Sequence, residues 1–121
     1  MNTNTITIDR APHDEELTVL VCKRDERWYA QGLQRDIAAS GKDLDDALYG
    51  FSRSLAFQVA IDCEHDVEPL SELSPAPEMF QQMAVDAPRI DKQLPQFTIT
   101  DGFAPKASDL AARTNVRLCP R

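Results

Sequence analysis

The sequence predicts an α+β fold: an antiparallel sheet of three to four strands packed by one long helix, followed by a helix and an irregular or strand-forming extension. Three observations carry this expectation. Leu17-Thr18-Val19-Leu20-Val21-Cys22 is apolar on both alternating faces, Trp28-Tyr29-Ala30-Gln31-Gly32-Leu33 returns after a polar run, and Asp43 opens a stretch of helical apolar spacing.

A strand that is apolar on both faces suits a central position covered from each side. Lys23-Arg24-Asp25-Glu26-Arg27 then makes a turn, and Ile37-Ala38-Ala39-Ser40 reads as a third strand that ends at Gly41. Asp43 is a helix N-cap whose carboxylate can accept from the free amides of the first turn, and Asp45 and Asp46 lie where the helix dipole favours negative charge. The helix therefore starts at Leu44. Leu44, Ala47, Leu48, Phe51, Leu55 and Val59 follow the i, i+3, i+4, i+7 rule and form the stripe that faces the sheet.

A second stripe, Tyr49, Arg53, Ala56, Phe57 and Ala60, is too apolar for a fully solvated surface. Its cover is either the C-terminal half of the chain, a second copy in a homodimer, or another protein. Gly50 in the middle of the helix costs about 1 kcal/mol relative to Ala, which predicts a close backbone approach there.

Beyond Pro69, Pro75-Ala76-Pro77 suits a helix entrance, with Met79, Phe80 and Met83 inward and Pro88 closing the segment. Gln96-Phe97-Thr98-Ile99-Thr100 reads as a strand ending at the turn Asp101-Gly102. Ser108 to Arg113 reads as a capped helical turn and Asn115 to Cys119 as a last strand. The expected organisation is a β-β-β-α unit over residues 1–63 and an acidic, proline-punctuated extension over 64–121 that packs on it.

The chain has 121 residues, 42% of them apolar and only 7% aromatic, enough for one aliphatic core. Its net charge of −7 is concentrated: residues 62–88 carry Asp62, Glu64, Asp66, Glu68, Glu72, Glu78 and Asp86 without one Lys or Arg. Phosphate binders need clustered cations, so direct nucleic acid binding is not expected and a basic protein is the better electrostatic match. No stretch approaches the roughly 20 apolar residues that cross a bilayer. Met1-Asn2-Thr3-Asn4-Thr5 also lacks the basic start and apolar run of a secretion signal, so no membrane association and a cytoplasmic location are expected.

The residues that could carry chemistry have bland explanations. Cys22, Cys63 and Cys119 are odd in number and far apart in sequence, which argues for reduced thiols rather than a disulfide framework. Cys63-Glu64-His65-Asp66 offers four donors, yet a zinc site normally adds a second pair, and His13 is the only other histidine. The same Cys63 and His65 lack an oxyanion loop, and Asp43, Asp45 and Asp46 are accounted for by capping. Gly32, Gly41, Gly50 and Gly102 build no phosphate cradle. Neither catalytic residues, nor a metal site, nor a cofactor is expected.

Taken together, the strand at 17–22, the aromatic-led strand at 28–33 and Ser40-Gly41-Lys42-Asp43-Leu44-Asp45-Asp46-Ala47 with its continuing helix resemble the N-terminal domain of HicB-type antitoxins, over about 45 residues. The resemblance implies a strand-strand-strand-helix unit, a truncated relative of the RNase H fold. It carries no nuclease activity with it, because Leu17 to Cys22 contains no carboxylate. Residues 64–121 hold no convincing recognition helix.

The resemblance and the charge lead to one expectation: a non-catalytic module that binds and occludes a basic partner, such as a ribonuclease toxin or a host nucleic-acid-processing enzyme. Its binding residues would be the acids Asp62, Glu64, Asp66, Glu68, Glu72 and Glu78, with Tyr49, Arg53 and Phe57 as the apolar part of the surface or as a dimer seam. The alternatives are a homodimer with a structural or regulatory role and no inhibition, and a HicB-type transcriptional regulator. An orphan unit of this kind also suits a phage or prophage gene acting against host defence.

Overall fold

The computed structural model describes residues 16–95 and 109–119. Its elements are β1 (Leu17–Arg24), β2 (Arg27–Gly32), β3 (Ala38–Gly41), α1 (Leu44–Glu64), α2 (Glu78–Val85), β4 (Arg89–Ile90) and β5 (Thr114–Leu118). The strand expected at 96–100 and the turn Asp101-Gly102 lie outside the described residues, as does His13. Of the helical turn expected at Ser108, residues 109–112 are seen and are helical.

The five strands form one sheet in the order β3-β2-β1-β5-β4. β1 pairs antiparallel with β2, and β2 with β3, as the hairpin reading requires. β5 lies parallel to β1, with Leu17 opposite Thr114 and Val21 opposite Leu118, and β4 runs antiparallel to β5. The sheet is therefore mixed, and the expected antiparallel sheet is corrected. Antiparallel partners need only a tight turn, whereas a parallel strand must be brought back to the starting end by a crossover. Here the chain reaches β5 through the helical turn at 109–112.

The hairpin between β1 and β2 is tighter than the sequence suggests. Arg24 pairs with Arg27, leaving a two-residue loop in which Asp25 and Glu26 have φ of 51° and 70°. Positive φ at both positions is the type I′ turn, which matches the twist of the strands and favours Asn-Gly. Replacing Asp25→Asn and Glu26→Gly together should stabilise the protein by about 1 kcal/mol, because Glu loses little by leaving and Gly fits the left-handed region. A urea midpoint that fails to rise would show that the loop is relaxed as it stands.

α1 begins where its caps place it. Asp43 accepts from the amide of Asp46 at 2.8 Å, and Asp46 Oδ2 accepts in return from the amide of Lys42 at 3.0 Å, so two orphan donors are satisfied by reciprocal carboxylates. Ala47, Leu48, Phe51, Leu55 and Val59 are buried against Leu17, Val19, Val21, Ala30 and Val116 of the sheet, and Leu44 is half-buried at the edge. Gly50 does sit at a close approach: a Cβ there would lie 3.3 Å from the Ala39 Cβ of β3.

The other face of the sheet has its own core. Leu20 and Cys22 alternate to that side of β1 and are buried with Leu33, Ala76 and Ala87, against Phe80, Met83, Ala84 and Cys119. β1 is thus covered from both sides, as its composition predicts. Residues 66–77 carry the chain from one layer to the other and are held by Asp36 N–H donating to Ser74 O at 2.7 Å and Ala76 N–H to Leu33 O at 2.9 Å. Leu70, Leu94, Leu110 and Val116 belong to the same core as α1, so the segment after residue 63 completes the fold.

Candidate functional site

The outer side of α1 carries three of the large apolar side chains that stand exposed among the described residues. Tyr49 is 44% exposed, Phe57 55% and Ile61 49%, and Arg53 is exposed between them. Positions 49, 53, 57 and 61 repeat every four residues, so they form one stripe. Ile61 belongs to it although the sequence reading stopped at Ala60. The i+4 step from Phe57 was the available signal.

Ala56 is buried at 1%, and of the covers expected for the stripe it has the chain's own C-terminal half. It lies on the flank of α1 against which residues 91–95 run: Leu94 joins the core, Ser52 Oγ donates to the Pro95 carbonyl, and Lys92 Nζ meets Asp45 at 2.9 Å. The chain's own later half covers that flank, while the stripe from Tyr49 to Ile61 faces outward.

The acids separate into three groups. Glu64 and Asp66 are exposed at the C-terminal end of α1, Glu68 and Glu72 are exposed on the segment that rounds the sheet, and Glu78 opens α2 on the opposite layer. The stripe therefore runs into Glu64 and Asp66, but Glu78 does not share its face. Asp62 leaves the surface altogether. It is only 5% exposed, and its carboxylate accepts from the Leu70 amide at 2.8 Å and from Gln58 Nε2 at 3.0 Å. Its place as a partner-binding residue is corrected to a structural one. Asp62 stands i+3 from Val59 and i+7 from Leu55, on the buried stripe, and that spacing could have revealed it.

Two of the four donors at 63–66 are engaged within the fold. Cys63 packs against the main core and His65 Nδ1 lies 2.9 Å from the Ile61 carbonyl at the helix end. Among the described residues no three His, Cys, Asp or Glu side chains converge as metal ligands. No described helix is long and apolar enough to cross a membrane.

Two features escaped the sequence. The first is an open groove of about 360 Å³ between the sheet and α2, lined by Leu20, Cys22, Tyr29, Met79, Phe80 and Met83 among others. Phe80 and Met83 pack inward as expected, but Met79 is 60% exposed and stands at its rim. The second is the meeting of Cys22 with Cys119. Cys119 N–H donates to Val21 O at 2.8 Å, one step beyond the Val21–Leu118 register, which sets Cys119 beside Cys22 on the neighbouring strand. Burial, with the neighbouring Cys119 thiol adding to it, pushes the Cys22 thiol up to about 12.

Comparison of the chain with protein-family models, with curated proteins and with solved structures gives no match.

Proposed function

We propose that this protein is a non-catalytic binding module that occludes a basic protein, of the kind represented by ribonuclease toxins and nucleic-acid-processing enzymes. The observation that carries this reading is the α1 stripe, on which Tyr49, Phe57 and Ile61 stand about half exposed and lead directly into Glu64 and Asp66. Apolar anchors beside charge of one sign are what a protein interface needs: the field raises the encounter rate, and the desolvated side chains supply the short-range energy. The β-β-β-α order that leads into α1 also supports a likeness to HicB-type antitoxins.

The described chemistry supports contact rather than turnover. The acids nearest the stripe are solvent-exposed, and the one carboxylate buried among the described residues, that of Asp62, is spent on the fold.

Affinity capture from the cells that produce the protein tests the reading, with three baits: wild type, Phe57→Asp, and a variant with Glu64, Asp66, Glu68 and Glu72 all changed to Lys. Wild type should retain a basic protein. The four-lysine variant should associate roughly 10- to 100-fold more slowly at low salt, and Phe57→Asp should release the partner faster. Equal capture by the four-lysine bait would remove electrostatic docking. If wild type is a dimer by light scattering and Phe57→Asp a monomer, the stripe is a seam between copies instead.

A further inference from the structure

We propose that Cys22 and Cys119 are a redox pair that closes to a disulfide across β1 and β5, making this junction a site of reversible oxidation. Three observations bring the two residues together: the parallel register that ends at Val21 and Leu118, the Cys119 amide bonded to Val21 O at 2.8 Å, and the packing of half-buried Cys119 against the apolar cluster that holds buried Cys22. Cα atoms of in-register neighbours fall within the span that a disulfide bridges, and Cys119 sits one residue past the end of β5. Cys63 belongs to the other core and has no part in the junction.

The two thiols have different roles. Cys22 is 8% exposed and held protonated by its surroundings, whereas Cys119 is half-buried, so Cys119 is the sulfur that meets an oxidant. With a hydroperoxide, the Cys119 thiolate attacks the terminal oxygen. An S–O bond forms, the O–O bond breaks, and the departing alkoxide or hydroxide takes up a proton. Cys22 sulfur then attacks the sulfenic sulfur and expels its oxygen, which leaves as water with the Cys22 proton. Two thiols and one hydroperoxide become one disulfide, one water and one alcohol, or two waters when the oxidant is hydrogen peroxide. Because Cys22 also lines the groove beside Met79, Phe80 and Met83, closure would alter that wall.

The test uses the intact wild-type protein, exposed to hydrogen peroxide, alkylated and digested with trypsin without reduction. The expected product joins residues 11–23 to residues 118–121 and is lighter by two hydrogens than the sum of the peptides, with Cys63 alkylated. Free thiols under denaturing conditions should fall from three to one, and dithiothreitol should restore them. In Cys22→Ala the sulfenic acid should persist on Cys119 and react with dimedone. Alkylation of both cysteines after oxidation, a bridge that involves Cys63, or a product found only between two molecules on a non-reducing gel would each overturn the proposal.

Discussion

Replacing Asp62→Ala is expected to cost about 3 kcal/mol and to lower the thermal midpoint by about 10–20 °C. The carboxylate is 5% exposed and holds the Leu70 amide at 2.8 Å. Leu70 is fully buried and has φ of 66°, a left-handed conformation that a leucine adopts only when its surroundings impose it. Removing the acceptor leaves a buried N–H unpaired, about 1–3 kcal/mol by itself, and frees Leu70 to relax out of the core. Asp62→Asn separates these effects. Its amide oxygen can still accept from Leu70, so the loss should shrink to roughly 1 kcal/mol, read from urea denaturation. If Ala and Asn prove equal, the hydrogen bond is not what holds the turn.

Gly41→Ala should destabilise by a similar amount, about 3 kcal/mol, at the upper end of what overpacking costs. A Cβ at that position would lie 2.5 Å from the Ala47 amide nitrogen and 2.7 Å from the Asp46 carbonyl carbon. Both are backbone atoms of the first turn of α1, which is fixed by the reciprocal Asp43 and Asp46 carboxylates and cannot rotate aside as a side chain would. The helix must therefore lift from β3 or the strand must shift. Gly50→Ala is the useful control: its Cβ would meet the Ala39 Cβ at 3.3 Å, a contact that a small shift relieves, while helix propensity improves by about 1 kcal/mol. Chemical denaturation of the two variants side by side should separate them by more than 2 kcal/mol.

The local parts of this fold were legible because each is written in neighbouring residues. Asp43 and the spacing from Leu44 to Val59 give the start and the buried face of α1, and the double-faced apolarity of Leu17 to Cys22 gives a central strand. The parallel pairing of β5 with β1 was not legible, since nothing in Thr114 to Leu118 names a partner so far away in the chain. The candidate surface was legible in part. Tyr49, Arg53 and Phe57 are where helical spacing puts them, but composition alone reads Asp62 as one more surface acid, and only packing distinguishes it from Glu64 two residues later. The thiol pair is hidden for the same reason as β5, because it exists only after the long-range register forms.

That register has a consequence for the life of the chain. Until residue 114 reaches residue 17, one side of β1 lacks its neighbour, and Val19, Leu20 and Val21 offer open backbone groups amid apolar side chains. A nascent polypeptide on the ribosome, or one clipped by a protease ahead of Thr114, would present the innermost strand of the sheet as a template for self-association.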